Sequence, residues 1–96
     1  MGIVHLIFLI FIENMNLAQL ATGKVAFIKE IRFCEENKAL RNRLEAIGII
    51  PNKSIKILRK AWFKGPLHIR IGATTEIAIR YKEAQNIIIQ EISTNN

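Results

Sequence analysis

LHIRIGATTEIAI, residues 67–79, is the stretch on which the fold turns. Leu67, Ile69 and Ile71 alternate with His68 and Arg70, the two-residue period of a strand with one buried face. Gly72 to Thr75 reads as a turn, after which Ile77 and Ile79 resume the same alternation. Two short strands joined by a turn put β structure at the centre of the architecture.

Outward from this pair the pattern continues. On the N-terminal side, Ser54 to Lys60 carries Ile55 and Ile57 on one face. Lys24 to Phe33, rich in β-branched and aromatic residues, reads as a long strand. Its apolar alternation slips between Ile28 and Ile31, which predicts a bulge or sharp bend near Lys29-Glu30. Asn16 to Leu20 reads as a single helical turn capped by Asn16 and closed by Thr22-Gly23. On the C-terminal side, Tyr81 to Asn86 reads as a short helical turn and Ile87 to Ile92 as the last strand.

One segment departs from the two-residue period. Leu40, Leu44 and Ile47 form one stripe of a helix over Lys38 to Ile47, capped by Asn37, with Arg41 and Glu45 facing water. Gly48 stands where a left-handed C-cap belongs, and Pro51 prevents continuation. The expected fold is therefore mainly β: a small barrel of about five strands, one inserted α-helix and short helical turns.

Composition bounds what such a barrel can do. The chain has 96 residues, half of them hydrophobic, enough for one core but with little room for a deep substrate cavity as well. Cys34 is the only cysteine, so no intrachain disulfide forms, and His5 and His68 do not complete a zinc motif with it. The net charge is +6, from 14 Lys and Arg against 8 acids, all glutamate. That balance suits nucleic acid, anionic lipid headgroups or an acidic protein face, and does not choose among them.

Residues 1–14 stand apart from the domain read over residues 15–96. Ile3 to Ile12 is apolar except for His5, too short to cross a bilayer as a helix and without the basic flank of a signal peptide. Three readings stay open: an extra strand or helix covering the barrel, an over-early start codon with Met15 the true initiator, or a weak membrane-surface anchor.

An ordered set of residues spans Met15 to Ile92. Leu17-x-x-Leu20-x-x-Gly23 leads, followed by Arg43-Leu44-x-x-Ile47-Gly48-Ile49-x-Pro51, Gly65-Pro66-Leu67 and Gly72. Ile77-Ala78-Ile79-Arg80 with Glu83-Ala84 and Ile87 completes it. The set resembles the FeoA family of ferrous iron transport accessory proteins. Asn52 departs from the family's usual glycine after the proline, although asparagine tolerates the same turn. The resemblance implies an SH3-like barrel on the cytosolic side of the membrane, without enzymatic activity, supporting a FeoB-type permease with its G domain and Fe(II) pore. A similar domain ends some metal-responsive repressors.

The residues themselves argue against catalysis. Gly23-Lys24 is the only phosphate-loop candidate, but Ala18 replaces the first glycine of that motif and Val25 replaces its magnesium-binding hydroxyl. Ser54 and Ser93 are the only serines, and nothing sets either beside His68. Cys34-Glu35-Glu36 with a distant His68 is the one metal fragment, better read as an acidic loop and an outward strand histidine. No cofactor or metal ligand is assigned.

Lys60-Ala61-Trp62-Phe63-Lys64-Gly65 is the conspicuous surface candidate: adjacent aromatics between lysines, bridging two strands. It reads as a partner-contact loop, as a turn in which one aromatic caps the barrel mouth, or as a site for base stacking on Trp62 with phosphate contacts. Lys38, Arg41 and Arg43 form a second basic patch on the helix, either a solvated face or one that meets acidic groups on a partner or lipid phosphates. The expected function is a non-catalytic accessory of ferrous iron uptake, docking on the permease through Trp62, Phe63, Lys64 and Lys60 with Lys38, Arg41 and Arg43. The expected place is the cytoplasm, at the inner face of the membrane, with self-association left open. The alternatives are a basic SH3-like nucleic-acid binder or a detached metal-responsive regulator domain.

Overall fold

The computed structural model describes residues 15–32 and 38–91. The N-terminal extension, the Cys34-Glu35-Glu36 fragment and the expected Asn37 cap lie outside those residues. Along the chain come a 3₁₀ turn (Leu17–Gln19), β1 (Val25–Ile31), α1 (Lys38–Ala46), β2 (Ser54–Lys60), β3 (Leu67–Ile71), β4 (Thr75–Ile79), α2 (Tyr81–Ala84) and β5 (Ile87–Glu91). The five strands form one antiparallel sheet in the order β4-β3-β2-β1-β5.

On β2 and β3 the inward positions are those the alternation marks, whereas Ile77 of β4 is only half-buried and β5 buries Ile87, Ile88 and Ile89 in succession. Ile28, Ile55, Ile57, Leu67, Ile69, Ile87 and Ile89 are fully buried. Leu17 and Leu20 from the 3₁₀ turn, with Leu44 and Ile49 from the helical segment, complete the core. Isoleucine suits these sites because its branched side chain packs well on a pleated surface, and each buried one contributes about 1.5–3 kcal/mol.

Two irregularities bend the sheet. The β1–β5 register shifts between Ile28 and Glu30, where the slip in the apolar pattern falls. A second shift, between Ile57 and Arg59 in the β2–β3 pair, is not visible in the sequence. Leu58 is apolar like Ile57, so the alternation shows no break there. After it, Arg59 pairs with His68 and Lys60 with Leu67, which sets the cations at the base of the next loop.

The end of α1 follows its sequence signal. Gly48 has φ +103°, its N–H donates to the Glu45 carbonyl at 3.0 Å, and the Ile49 N–H donates to the Leu44 carbonyl at 3.0 Å. These are the two bonds of a Schellman cap, and the buried side chains of Leu44 and Ile49 supply its hydrophobic contact. The cap at the 3₁₀ turn differs from the expectation. Gln19 Oε1 accepts the Asn16 N–H at 2.9 Å, while Asn16 Oδ1 is buried without a hydrogen-bond partner. Asn16 also bridges Ile88, and the Ile89 N–H donates to the Met15 carbonyl, so the segment before the 3₁₀ turn lies along β5.

Ile50-Pro51-Asn52-Lys53 is a tight turn closed by the Lys53 N–H on the Ile50 carbonyl. Asn52 takes φ +73°, and its N–H donates to the Ile28 carbonyl at 2.8 Å. Proline followed by a left-handed residue is the signature of a type II turn. Asn52→Ala will therefore cost about 1 kcal/mol in urea unfolding with an unchanged m-value, and Asn52→Gly will be neutral or slightly stabilising.

Candidate functional site

The β2–β3 connection presents the most exposed large apolar surface among the described residues. Trp62 is 85% exposed and Phe63 96%, so neither ring caps the barrel mouth. Their centroids lie 6.4 Å apart with the planes tilted by 46°. The loop is closed by the Ala61 N–H on the Pro66 carbonyl and the Gly65 N–H on the Trp62 carbonyl, both at 3.0 Å.

Two successive non-glycine residues of this loop are left-handed, Phe63 at φ +54° and Lys64 at φ +58°. For residues with a Cβ this conformation costs on the order of 1 kcal/mol each. Gly65 is fixed by space instead. A Cβ there would stand 2.8 Å from the Ala61 Cβ and 3.0 Å from the Trp62 carbonyl oxygen. The result is a rigid hairpin tip that holds both rings away from the core.

The remaining candidate residues fall into two groups. Lys64 Nζ lies 5.9 Å from the Tyr81 ring centroid, a cation–π contact that ties the loop to α2. Lys60 Nζ donates to the Ala18 carbonyl at 3.0 Å, joining the end of β2 to the 3₁₀ turn. Arg41 faces Glu45 at 3.4 Å across one helical turn and reaches the Ile31 carbonyl. Arg43 donates to Glu83, whose other carboxylate oxygen accepts the Arg80 N–H at 2.9 Å. Glu83 is almost wholly buried, so this bond fastens α1 to α2 and satisfies a carboxylate that would otherwise be stranded. Lys38 is exposed at the start of α1. The loop candidates thus cluster at one end of the sheet, while Arg41 and Arg43 already hold partners within the fold.

Two shallow clefts flank the loop and bring Arg59, Arg80 and Lys82, which were not among the docking candidates, beside it. Lys64, Gly65, Pro66, Arg80, Tyr81 and Lys82 line a shallow cleft of about 300 Å³ on one side. On the other, Arg59, Lys60, Pro66 and His68 take part in a second cleft of about 280 Å³. Arg59 Nη2 is 3.3 Å from His68 Nδ1. No periodic signal marks Arg80 and Lys82, because only the return of the chain through β4 brings them beside the loop.

Among the described residues, no three His, Cys, Asp or Glu side chains converge as a metal site would require. None of the described helices is long and apolar enough to cross a membrane.

The model of the FeoA domain matches residues 15–91. The chain belongs to the FeoA family. FeoA membership supports a role in ferrous iron transport. Among solved structures, FeoA of Stenotrophomonas maltophilia complexed with zinc, described as a procaryotic SH3 domain protein, is 23% identical. That match covers 79% of this chain and 89% of the other, with a TM-score of 0.70. Iron(II) transport protein A of Clostridium thermocellum is 29% identical over 81% of this chain and 46% of that one, at TM-score 0.71. A manganese-dependent transcriptional repressor shares the fold at TM-score 0.71 and 16% identity, over 80% of this chain and 36% of the repressor. No curated protein matches the sequence. The fold is thus SH3-like, a sheet curled by its bulges with FeoA proteins and repressor domains as its structural neighbours.

Proposed function

We propose that this FeoA protein is a non-catalytic accessory of ferrous iron uptake that works in the cytoplasm by docking on the cytosolic part of a FeoB-type permease. The observation that carries this reading is the hairpin tip. A domain with a complete Ile/Leu core spends conformational strain at Phe63 and Lys64 to hold two aromatics in solvent, and exposed aromatics on a rigid frame are the usual anchors of an interface. Lys60 and Lys64 border the anchors; of the α1 cations, Arg41 and Arg43 are engaged within the fold by Glu45 and Glu83, which leaves Lys38 as the exposed one for a second, separate contact. Nucleotide hydrolysis in such a complex belongs to the permease's G domain, since the chain's Gly23-Lys24 lacks the phosphate-loop pattern.

Trp62→Ala tests the docking. The side chain is 85% exposed, so its loss leaves the core and the circular dichroism spectrum unchanged. The expected result is a drop of at least tenfold in affinity for the detergent-solubilised permease, the size typical of an anchor residue. Unaltered affinity with a native spectrum removes the loop from the interface.

A further inference from the structure

We infer that the Trp62–Lys64 tip seats in the interface of an anionic phospholipid bilayer, with the two aromatic rings among the upper acyl chains and the surrounding cations at the phosphates. This goes beyond permease docking and names a second occupant for the same tip, so the vesicle and permease measurements are read separately.

The layering of the tip carries the inference. Its outermost side chains are Trp62 and Phe63, both nearly wholly exposed and side by side. Behind them stands a collar of cations: Lys64, Arg80 and Lys82 around one cleft, Arg59 and Lys60 around the other. Neither cleft is lined by a carboxylate. The nearby Glu83 is buried under Arg43, and Glu76 is engaged by Arg70 at 2.9 Å, towards the opposite end of the β3–β4 pair.

Each layer matches a depth in the bilayer. Tryptophan is enriched at the membrane–water boundary, where its apolar ring and its N–H are both accommodated. Long basic side chains extend from that depth to the phosphates, and Tyr81 at the base of the loop has the same dual character. Each cation close to an anionic surface raises affinity about fivefold at physiological ionic strength. A convex tip needs no complementary groove in lipid. With the chain at +6 overall, the electrostatics favour the same surface.

Trp62 is the only tryptophan, so its emission reports insertion directly. The full chain is mixed with vesicles of phosphatidylcholine alone or with about one-third phosphatidylglycerol, near physiological salt. The expected result is co-sedimentation and a blue shift of Trp62 emission with the anionic vesicles only, both weakened at high salt.

Phe63→Asn is the matching variant. Asparagine accepts the left-handed backbone better than phenylalanine, so the protein becomes no less stable while vesicle affinity falls about tenfold. Lys64→Glu with Lys82→Glu lowers it further at low salt. Absence of both sedimentation and blue shift with anionic vesicles overturns the inference. So does binding that leaves Trp62 emission and the Phe63→Asn affinity unchanged, which is adsorption by charge alone. If vesicles fail and the detergent-solubilised permease still loses Trp62→Ala, the tip is a protein contact and docking stands without the lipid.

Discussion

Ile57→Ala will lower stability by about 3–4 kcal/mol and displace the urea midpoint by roughly 2 M with little change in m-value. Ile57 is fully buried and sits on β2, with β3 on one side and β1 on the other. It faces Ile69 across the sheet, its carbonyl accepts the Gly23 N–H at 2.8 Å, and its N–H reaches the Lys24 carbonyl. A cavity there cannot collapse cheaply, because the backbone on both sides is pinned and the register shift begins at the next residue. Domains of this size have about 5–15 kcal/mol in total, so the variant will approach the folding threshold at physiological temperature. Ile57→Val, which removes one methylene, will cost only about 1 kcal/mol, and the ratio of the two effects separates cavity formation from a general fault in β2.

Gly65→Ala will have the largest effect on docking without touching an aromatic side chain. The added Cβ meets the Ala61 Cβ at 2.8 Å and the Trp62 carbonyl at 3.0 Å, distances at which the loop must move. The bonds that close it, from Gly65 to Trp62 and from Ala61 to Pro66, are the ones displaced. Expected are a stability loss of about 1–3 kcal/mol and a fall in permease affinity at least as great as that of Trp62→Ala. Adding Ala61→Gly removes the closer of the two clashes, so the double variant will recover part of both losses. That non-additivity, measured as a double-mutant cycle, identifies loop shape as the cause. Additive losses would mean that Gly65 acts some other way.

The fold was largely legible because most of its strands bury one face. Ser54–Lys60 and Leu67–Ile71 appear in the structure with the bounds that alternation suggests, and α1 ends at Gly48 through the cap its sequence announces. The bulge near Lys29-Glu30 could be read because it changes the spacing of the apolar positions from two to three, so that Ile28 and Ile31 are both buried. The one after Ile57 could not, since Leu58 masks the shift. The candidate site was legible in one respect only. Lys60 to Gly65 stands out by composition, but alternation has nothing to say about a loop, and the outward direction of both rings is set by the left-handed backbone at Phe63 and Lys64. Arg43 read only as part of a basic helix face because its partner, Glu83, lies on a different helix far along the chain. Arg80 and Lys82 were silent for the same reason: proximity to Lys64 is a product of the sheet's path.

The order of the strands also governs how the protein comes into being on the ribosome. β1 lies between β2 and β5, so one of its edges pairs early and the other waits for residues 87–91. Until those emerge, the β1–β4 intermediate carries an open strand edge and lacks Ile87 and Ile89, both wholly enclosed in the finished domain. Non-local closure of this kind slows the final step and leaves that edge and the unfinished core exposed until it occurs. Ribosome stalling that holds residues 87–91 inside the exit tunnel will therefore leave a protease-sensitive chain, and release of that last strand completes the fold.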